Sequence, residues 1–330
     1  VVHLYRDVSG PGVLARDLAA AGSLQDRPTV RTARKGVLWG GVVAAIACVV
    51  AALALVRSVR LEDSVLDIAH SGATMHAPEN TMASMQRAMA DSADYLEIDV
   101  QETADGEVVV FHDSDFMKTA RNPLTIWDAR RADIDAIDVG SWFDPVYAAE
   151  RVPTLEEVLL AAKGRARVNI ELKYYGYDED LERRVVDIVE SAGMADQVVV
   201  MSLKYDKIQK IRGLRPDWRC GLLTTVSLGD PKAFNVDFLA VNAATATRRF
   251  VLLAHAWGLD VYDWTVNDPY VMSAMISRGV DGIITDDPGL ARKVLRIRGQ
   301  MDPVQRLLVG IGSELGVFSM PEPRAEEAGA

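Results

Sequence analysis

Short apolar runs alternate with longer amphipathic segments along most of this chain, from Val65 to about Arg298. The short runs are rich in Val and Ile, as strands are, and the segments between them carry apolar residues at helical spacing. Strand and helix alternate about eight times, which predicts an α/β fold with a parallel (β/α)8 barrel of the TIM type. An open doubly wound sheet is disfavoured because no glycine-rich phosphate loop follows the first strand. The predicted strands are 65–69, 95–100, 108–112, 167–173, 197–202, 220–224, 238–242, 261–266 and 282–285.

One apolar run is far longer than a strand. Residues 36–56, GVLWGGVVAAIACVVAALALV, contain no charged side chain. A helix of that length, rising about 1.5 Å per residue, crosses a hydrocarbon core of about 30 Å. This predicts a transmembrane helix preceded by a juxtamembrane segment, 1–35; a buried core helix and a cleaved secretory signal are the alternatives. Basic residues are denser before the run than after it, so the positive-inside rule places 1–35 in the cytoplasm and the large domain outside it.

Composition and charge narrow the possible partners. The chain has 330 residues and a formal net charge of -11, which disfavours nucleic acid because a phosphate backbone requires a basic surface. The two cysteines, Cys48 and Cys220, lie far apart and indicate neither a disulfide framework nor a thiolate metal site. The predicted barrel domain is 65–298. Residues 299–330 are predicted to be a partly disordered tail, since they end in PEPRAEEAGA.

Two predicted strands carry charged residues where a buried parallel strand is normally apolar. In YLEIDV, Glu97 and Asp99 share one face because side chains alternate along a strand, and Glu171 and Lys173 do the same in RVNIELK. The apolar faces suit packing against helices, so these charged faces are predicted to point into the barrel. Several carboxylates in a confined space favour a divalent cation, and oxygen ligands favour Mg²⁺ or Ca²⁺. The alternative is an internal salt-bridge network that only stabilises the barrel.

Two histidines end predicted strands. His70 ends the first strand and His112 ends VVVFH, so both are predicted to lie at the barrel face where strands finish and active sites form. Two imidazoles at one site can divide the roles of general base and general acid near neutral pH. His76 lies in the loop after the first strand, either near a substrate or solvated. His255 lies in a helical segment, which favours a surface or core role.

The motifs occur in an order that resembles a known family. AHSGATMHAPENT, EIDVQETADGEVVVFHD, VPTLEEVL, NIELK and WTVN together resemble the glycerophosphodiester phosphodiesterase family over about 65–297. The apolar segment ahead of them resembles the membrane-anchored bacterial branch of that family. The resemblance implies a (β/α) barrel hydrolase that uses a divalent cation to cleave glycerophosphodiesters into an alcohol and glycerol 3-phosphate. The first nucleophile that it implies is the glycerol 2-hydroxyl of the substrate or water.

The resemblance also implies roles for individual residues. The two catalytic histidines of the family fall on His70 and His112. Its metal-binding carboxylates fall on Glu97, Asp99 and Glu171. One histidine would deprotonate the nucleophile and the other would protonate the leaving alkoxide, while the cation polarises phosphorus.

Substrate contacts are implied at further positions. Lys173 matches a basic residue that contacts the phosphate, and Glu79 and Asn80 of APENT match residues that line the site. Trp264 of WTVN corresponds to an aromatic position near the substrate, with a packed core tryptophan as the alternative. One position departs from the family, which reads His-Arg-Gly where this chain has Ser71. Serine offers one neutral hydrogen bond in place of a bidentate guanidinium contact.

These features predict an active enzyme at the cell membrane, with its catalytic domain outside the cytoplasm and a small-molecule glycerophosphodiester as its partner. A related phosphodiesterase acting on lysophospholipids, or on wall polymers with glycerol phosphate units, is an alternative that suits a membrane anchor. Ser71 motivates another alternative, a weakly active or degenerate barrel kept as a membrane-associated binding protein. Retention of both histidines, the three carboxylates and Lys173 favours the enzyme.

Overall fold

The chain divides into two compact units, Val1–Ser58 and Val59–Ala330. In the first, residues 39–50 are helical and exposed, and the rest of the predicted 36–56 span lies outside the described residues. Within the described part of the chain, no helix is both long enough and apolar enough to cross a bilayer. The computed structural model describes residues 39–50, 63–175, 180–224 and 234–314.

The second unit is built on a closed sheet. Its strands are β1 (Leu66–Ala69), β2 (Tyr95–Glu102), β3 (Val108–Val110), β4 (Asp115–Phe116), β5 (Asn122–Thr125), β6 (Arg167–Leu172), β7 (Val198–Ser202), β8 (Arg219–Thr224), β9 (Phe238–Asn242), β10 (Asp260–Trp264) and β11 (Gly282–Thr285). Parallel pairing runs from β2 through β6 to β11 in chain order, then to β1 and back to β2. The predicted parallel eight-stranded barrel is therefore confirmed.

The strand β3 is not part of this barrel. It pairs with β2 in the antiparallel sense, with Val100 opposite Val110, because the connection 103–107 is far too short for the crossover that a parallel pair requires. The prediction that His112 ends a barrel strand is therefore wrong. The hairpin nevertheless returns the chain to the barrel mouth, since Phe111 N donates to Asp99 O at 2.9 Å.

The second unit also contains α-helices. They are α1 (Met82–Ala90), α2 (Met117–Ala120), α3 (Arg131–Ile134), α4 (Leu155–Ala162), α5 (Leu181–Ala192), α6 (Tyr205–Leu214), α7 (Arg248–Ala256), α8 (Pro269–Arg278), α9 (Pro288–Gly299) and α10 (Pro303–Glu314). Local sequence fixes where several begin. In α4, Thr154 Oγ1 accepts from Glu157 N at 3.1 Å, and Glu157 Oε2 accepts from Thr154 N at 2.7 Å. This capping box satisfies two N–H groups that have no helical partner.

Apolar side chains fill the lower part of the barrel interior. The rings of Phe238 and Tyr262 stack there with centroids 4.5 Å apart. Gly221 permits this packing, because a Cβ at that position would lie 2.0 Å from the Phe238 ring. The interior residues that share this cluster are Ile68, Tyr95, Val199, Met201, Leu223, Phe238, Ala240, Tyr262 and Ile284. The lower interior is thus a packed apolar floor, and the carboxylates of the predicted site lie above it, at the mouth.

The region predicted to be a tail begins with a helix of the barrel domain. The helix α10 packs against α8. Arg306 in α10 and Arg298 in α9 both pair with Asp63, at 2.9 and 3.0 Å. The side chains of this trio are nearly completely buried, so the contact joins both ends of the domain. Residues 315–330 lie outside the described residues.

Candidate active site at the barrel mouth

Three carboxylates meet inside the barrel above the apolar floor. Glu97 and Asp99 lie on the interior face of β2, and Glu171 lies opposite Asp99 on β6. One oxygen of each lies within 4.8 Å of the others, and all three side chains are buried. Alternation along two paired strands explains the convergence, as predicted from the sequence.

The protein environment treats these carboxylates unequally. Burial raises the pKa of Glu97 to about 8, and the neighbouring charge of Asp99 adds to the effect. Burial also opposes ionisation of Asp99, but the charge of Lys173 and a hydrogen bond from Asn80 outweigh it and lower the pKa of that carboxyl. Lys173 Nζ lies 3.2 Å from Asp99 Oδ1 and 2.8 Å from Glu171 Oε1. Lys173 therefore pairs with two of the three acids.

This set of donors fits a divalent metal ion. If all three buried carboxylates were ionised, negative charge would be left uncompensated, which costs several kcal/mol unless it is paired. A cation bound by Glu97, Asp99 and Glu171 would remove that cost, and carboxylate oxygens suit hard ions. The predicted cluster is thus present as a candidate metal site.

Ser71 and Asn80 donate hydrogen bonds to the carboxylates. Ser71 N donates to Glu97 Oε2 at 2.8 Å, and Ser71 Oγ donates to Asp99 Oδ2 at 3.0 Å. Asn80 Nδ2 donates to the same Asp99 oxygen at 2.8 Å. The backbone φ angles of Ser71 and Asn80 are +47° and +54°, so both residues adopt the left-handed conformation that turns their polar atoms toward Asp99. Both are buried, and direct contact with a substrate stays a prediction.

His70 forms a hydrogen-bonded pair with an acid from the far end of the chain. Its Nδ1 lies 2.7 Å from Asp286 Oδ1, which also accepts from Thr74 Oγ1 at 2.8 Å. Asn267 Nδ2 donates to the other oxygen, Asp286 Oδ2, at 2.5 Å. Burial opposes the charged imidazolium, but the bond to Asp286 and the charges of nearby carboxylates outweigh it and raise the pKa of His70 to about 10. With Nδ1 engaged, Nε2 is the nitrogen that can exchange a proton with a ligand.

His112 has a similar arrangement on the other side of the carboxylates. Its Nδ1 lies 2.8 Å from Asp113 Oδ1. Burial again opposes protonation, whereas the charge of Asp99 and the bond to Asp113 raise the pKa of His112. Both imidazoles are therefore anchored through Nδ1 by a carboxylate, and about a third of each side chain is exposed at the mouth.

Sequence reasoning missed the acids behind these histidines. Asp286 directly follows β11, so the strand-end criterion that identified His70 applies equally to it. Asn267 belongs to the WTVN motif, and its Oδ1 accepts from Asp286 N at 2.8 Å. Asp113 is adjacent to His112, but no periodic pattern marks it.

The rim of the mouth carries other predicted residues. Glu79 pairs with Lys118 through both carboxylate oxygens, at 2.9 and 3.0 Å. The Lys118 ammonium also lies 5.6 Å from the centroid of the Trp142 ring. Trp264 ends β10 on the interior face and packs against the cluster that forms the barrel floor. Glu79 and Trp264 are thus placed at the mouth, while their contact with a substrate stays a prediction.

The remaining histidines of the barrel domain pair with other acids. His76 Nε2 lies 3.5 Å from Asp287 Oδ1 on the loop side of the mouth. His255 Nε2 lies 2.7 Å from Asp281 Oδ2, and Asp281 immediately precedes β11. That position is at the opposite end of the barrel, so His255 has the structural role that its helical context favoured.

Comparison with known proteins gives a consistent result. The model of the family described as "Glycerophosphoryl diester phosphodiesterase family" matches residues 70–290. A glycerophosphodiester phosphodiesterase of Caldanaerobacter subterraneus subsp. tengcongensis is 32% identical over 247 residues, which covers 71% of this chain and 99% of that protein. A glycerophosphodiester phosphodiesterase of Bacillus subtilis is 30% identical over 259 residues, which covers 70% of this chain and 87% of that protein.

A solved structure gives the same likeness in three dimensions. It is an Oleispira antarctica phosphodiesterase in complex with the product sn-glycerol-3-phosphate. The TM-score is 0.65 at 26% identity, with coverage of 70% of this chain and 96% of that one.

Proposed function

This chain belongs to the glycerophosphoryl diester phosphodiesterase family, and we propose that its barrel mouth hydrolyses glycerophosphodiesters to an alcohol and glycerol 3-phosphate, with His70 and His112 as acid and base. Phosphoric diester hydrolysis is the activity of the family. The roles of these residues are proposed from the geometry of the site. Two imidazoles, each fixed through Nδ1 by a carboxylate, stand beside three buried carboxylates at the mouth of one barrel.

The carboxylates Glu97, Asp99 and Glu171 would hold the divalent cation that the family generally uses. Their oxygens favour Mg²⁺ or Ca²⁺. When bound, the cation supplies positive charge that polarises phosphorus and stabilises the developing negative charge. Ser71 and Asn80 keep Asp99 oriented toward that position through their hydrogen bonds. With the carboxylates neutralised, the Lys173 ammonium is available to donate to a phosphoryl oxygen.

Each histidine would transfer one proton. One Nε2 accepts the proton of the attacking hydroxyl. Attack by water gives glycerol 3-phosphate directly, whereas attack by the glycerol 2-hydroxyl of the substrate gives a cyclic phosphodiester that water must open in a second step. The other Nε2 donates a proton to the leaving oxygen as the P–O bond to the alcohol breaks. Asp286 stabilises the protonated form of His70, and Asp113 that of His112. Because Ser71 carries no charge, positive charge at the phosphate would come from Lys173, the cation and the protonated histidine.

A lysophospholipid is a second candidate substrate. Apolar side chains are exposed around the mouth, close to the pair formed by Glu79 and Lys118. Trp142 contacts Phe143 edge to face at 5.9 Å, and Phe143 contacts Tyr147 in the same way. Tyr147 in turn donates from its hydroxyl to His76 O at 2.9 Å. The exposed apolar members of this rim are Met75, Met117, Trp142, Phe143 and Val146. Such a surface could bury an acyl chain that a simple glycerophosphodiester lacks.

Attachment to the cell membrane, as in the membrane-anchored bacterial branch, is a further proposal. Its support is the uncharged run 36–56 and the basic residues before it. The same pattern supports a catalytic domain outside the cytoplasm.

One set of assays tests the chemistry. The purified full chain is supplied with glycerophosphocholine or lysophosphatidylcholine, with Mg²⁺, Ca²⁺ or excess chelator. We expect metal-dependent release of choline from glycerophosphocholine and a loss of at least ~10²-fold in His70→Ala and His112→Ala. Full activity in chelator, with metal analysis showing none bound, would refute the metal site. Turnover of lysophosphatidylcholine alone would favour the second substrate.

A further inference from the structure

Gln101 occupies an unusual place beside the proposed site. It lies on the interior face of β2, two residues beyond Asp99, and is buried. Its Nε2 donates to the backbone oxygens of three consecutive residues. The distances are 2.8 Å to Phe111 O, 2.7 Å to Asp113 O and 3.3 Å to His112 O.

These bonds join the strand that carries Glu97 and Asp99 to the segment that carries His112. That segment leaves β3 after Val110. Phe111 N still donates to Asp99 O at 2.9 Å, and the Gln101 bonds extend this attachment to His112 and Asp113. The amide nitrogen of Gln101 carries two protons. One is donated to Phe111 O and the other to Asp113 O, and the longer contact to His112 O shares one of these protons. The backbone on both sides of His112 is therefore anchored to one rigid barrel strand.

We infer that Gln101 is the positioning residue that sets the place of the His112 imidazole relative to the carboxylates. The inference rests on the proposed catalytic role of His112. A shift of about 1 Å in a group that transfers a proton can cost about 10²-fold in rate, even when binding is retained. Loss of the Gln101 donors should thus act on the chemical step more than on substrate affinity.

The test is Gln101→Met, which keeps the length and volume of the side chain and removes both donors. We expect kcat on glycerophosphocholine to fall about 10- to 100-fold with KM changed less than about threefold. The matched control is Gln209→Met on α6, whose Nε2 also donates to a backbone oxygen, Asn235 O at 3.1 Å. That variant should keep wild-type kcat.

A double-mutant cycle separates positioning from simple loop stabilisation. If Gln101 acts through His112, Gln101→Met should cost nothing further in a chain that already carries His112→Ala. Equal fold-losses in the presence and absence of His112, or a lower melting temperature with unchanged kcat, would overturn the inference. If Gln101→Met does not fold, Gln101→Asn keeps the donors on a shorter stem and should show the same selective loss of kcat. A wild-type chain that is inactive on every diester would instead refute the proposed function.

Discussion

The bond between Asp286 and His70 gives the most direct test of how this site works. Asp286→Asn keeps the size of the side chain and removes its negative charge. His70 Nδ1 then faces a neutral amide at a position where a carboxylate oxygen now lies 2.7 Å away. The pKa of His70, raised to about 10 with the help of that carboxylate, should fall toward its ordinary value.

The magnitude follows from the type of bond. A charge-assisted hydrogen bond contributes about 1.5–3 kcal/mol, and about 1.4 kcal/mol corresponds to a tenfold change in rate. Asp286→Asn should therefore lower kcat/KM about 10- to 100-fold. The protonated form of His70 should also be lost at lower pH than in the wild type, because the charge that stabilised it is gone.

The assay is kcat/KM on glycerophosphocholine across pH 5 to 10, with melting temperatures measured in parallel. Asp281→Asn is the matched control, because Asp281 holds His255 at the same 2.7 Å distance at the other end of the barrel. It also accepts from Val261 N at 2.8 Å, so it tests the stability cost of the same change. If both variants lose activity to a similar extent, the effect is structural, and Asp286 has no specific role in orienting His70.

Three further predictions concern Glu97, the metal and the membrane. The pKa of Glu97 is raised from 4.5 to about 8. Between these two pH values the folded protein keeps a proton on Glu97 that the unfolded chain has released. Without metal, the free energy of unfolding should therefore fall as pH rises from 4.5 to about 8. A cation needs the ionised carboxylate, so the increase in melting temperature with Mg²⁺ or Ca²⁺ should grow from pH 5 to 9, and a shift independent of pH would contradict this. A reporter fused after Ala330 should be active outside the cytoplasm, and a signal confined to the cytoplasm would reverse the proposed orientation.

Local sequence patterns predicted the parts of the site that each strand carries by itself. Period-two alternation placed Glu97, Asp99 and Glu171 on interior faces, and the structure brings them together as expected. The sequence also predicted that His70 lies at the end of β1. His112 lies at the barrel mouth, as predicted, but not because it ends a barrel strand. The hairpin formed by β2 and β3 brings it there.

Contacts between distant segments were not visible in the same way. His70 and Asp286 are 216 residues apart, and the contact exists only because barrel closure places β11 beside β1. Ser71 could be recognised as a departure from the family. Its orientation toward Asp99, however, depends on a left-handed backbone that no propensity rule assigns to serine.

Residue patterns along the chain were enough to predict the alternation of strands and helices, the faces that the charged residues occupy, and hence the barrel and the type of its site. Periodicity carries that information because backbone geometry repeats every two residues in a strand and every 3.6 in a helix. Three features became visible only in the folded chain: the acid that anchors each histidine, the bonds from Gln101 to the loop around His112, and the attachment of α10 to the barrel domain through Asp63. Such contacts depend on the closure of the whole sheet, and closure is a property of all its strands together.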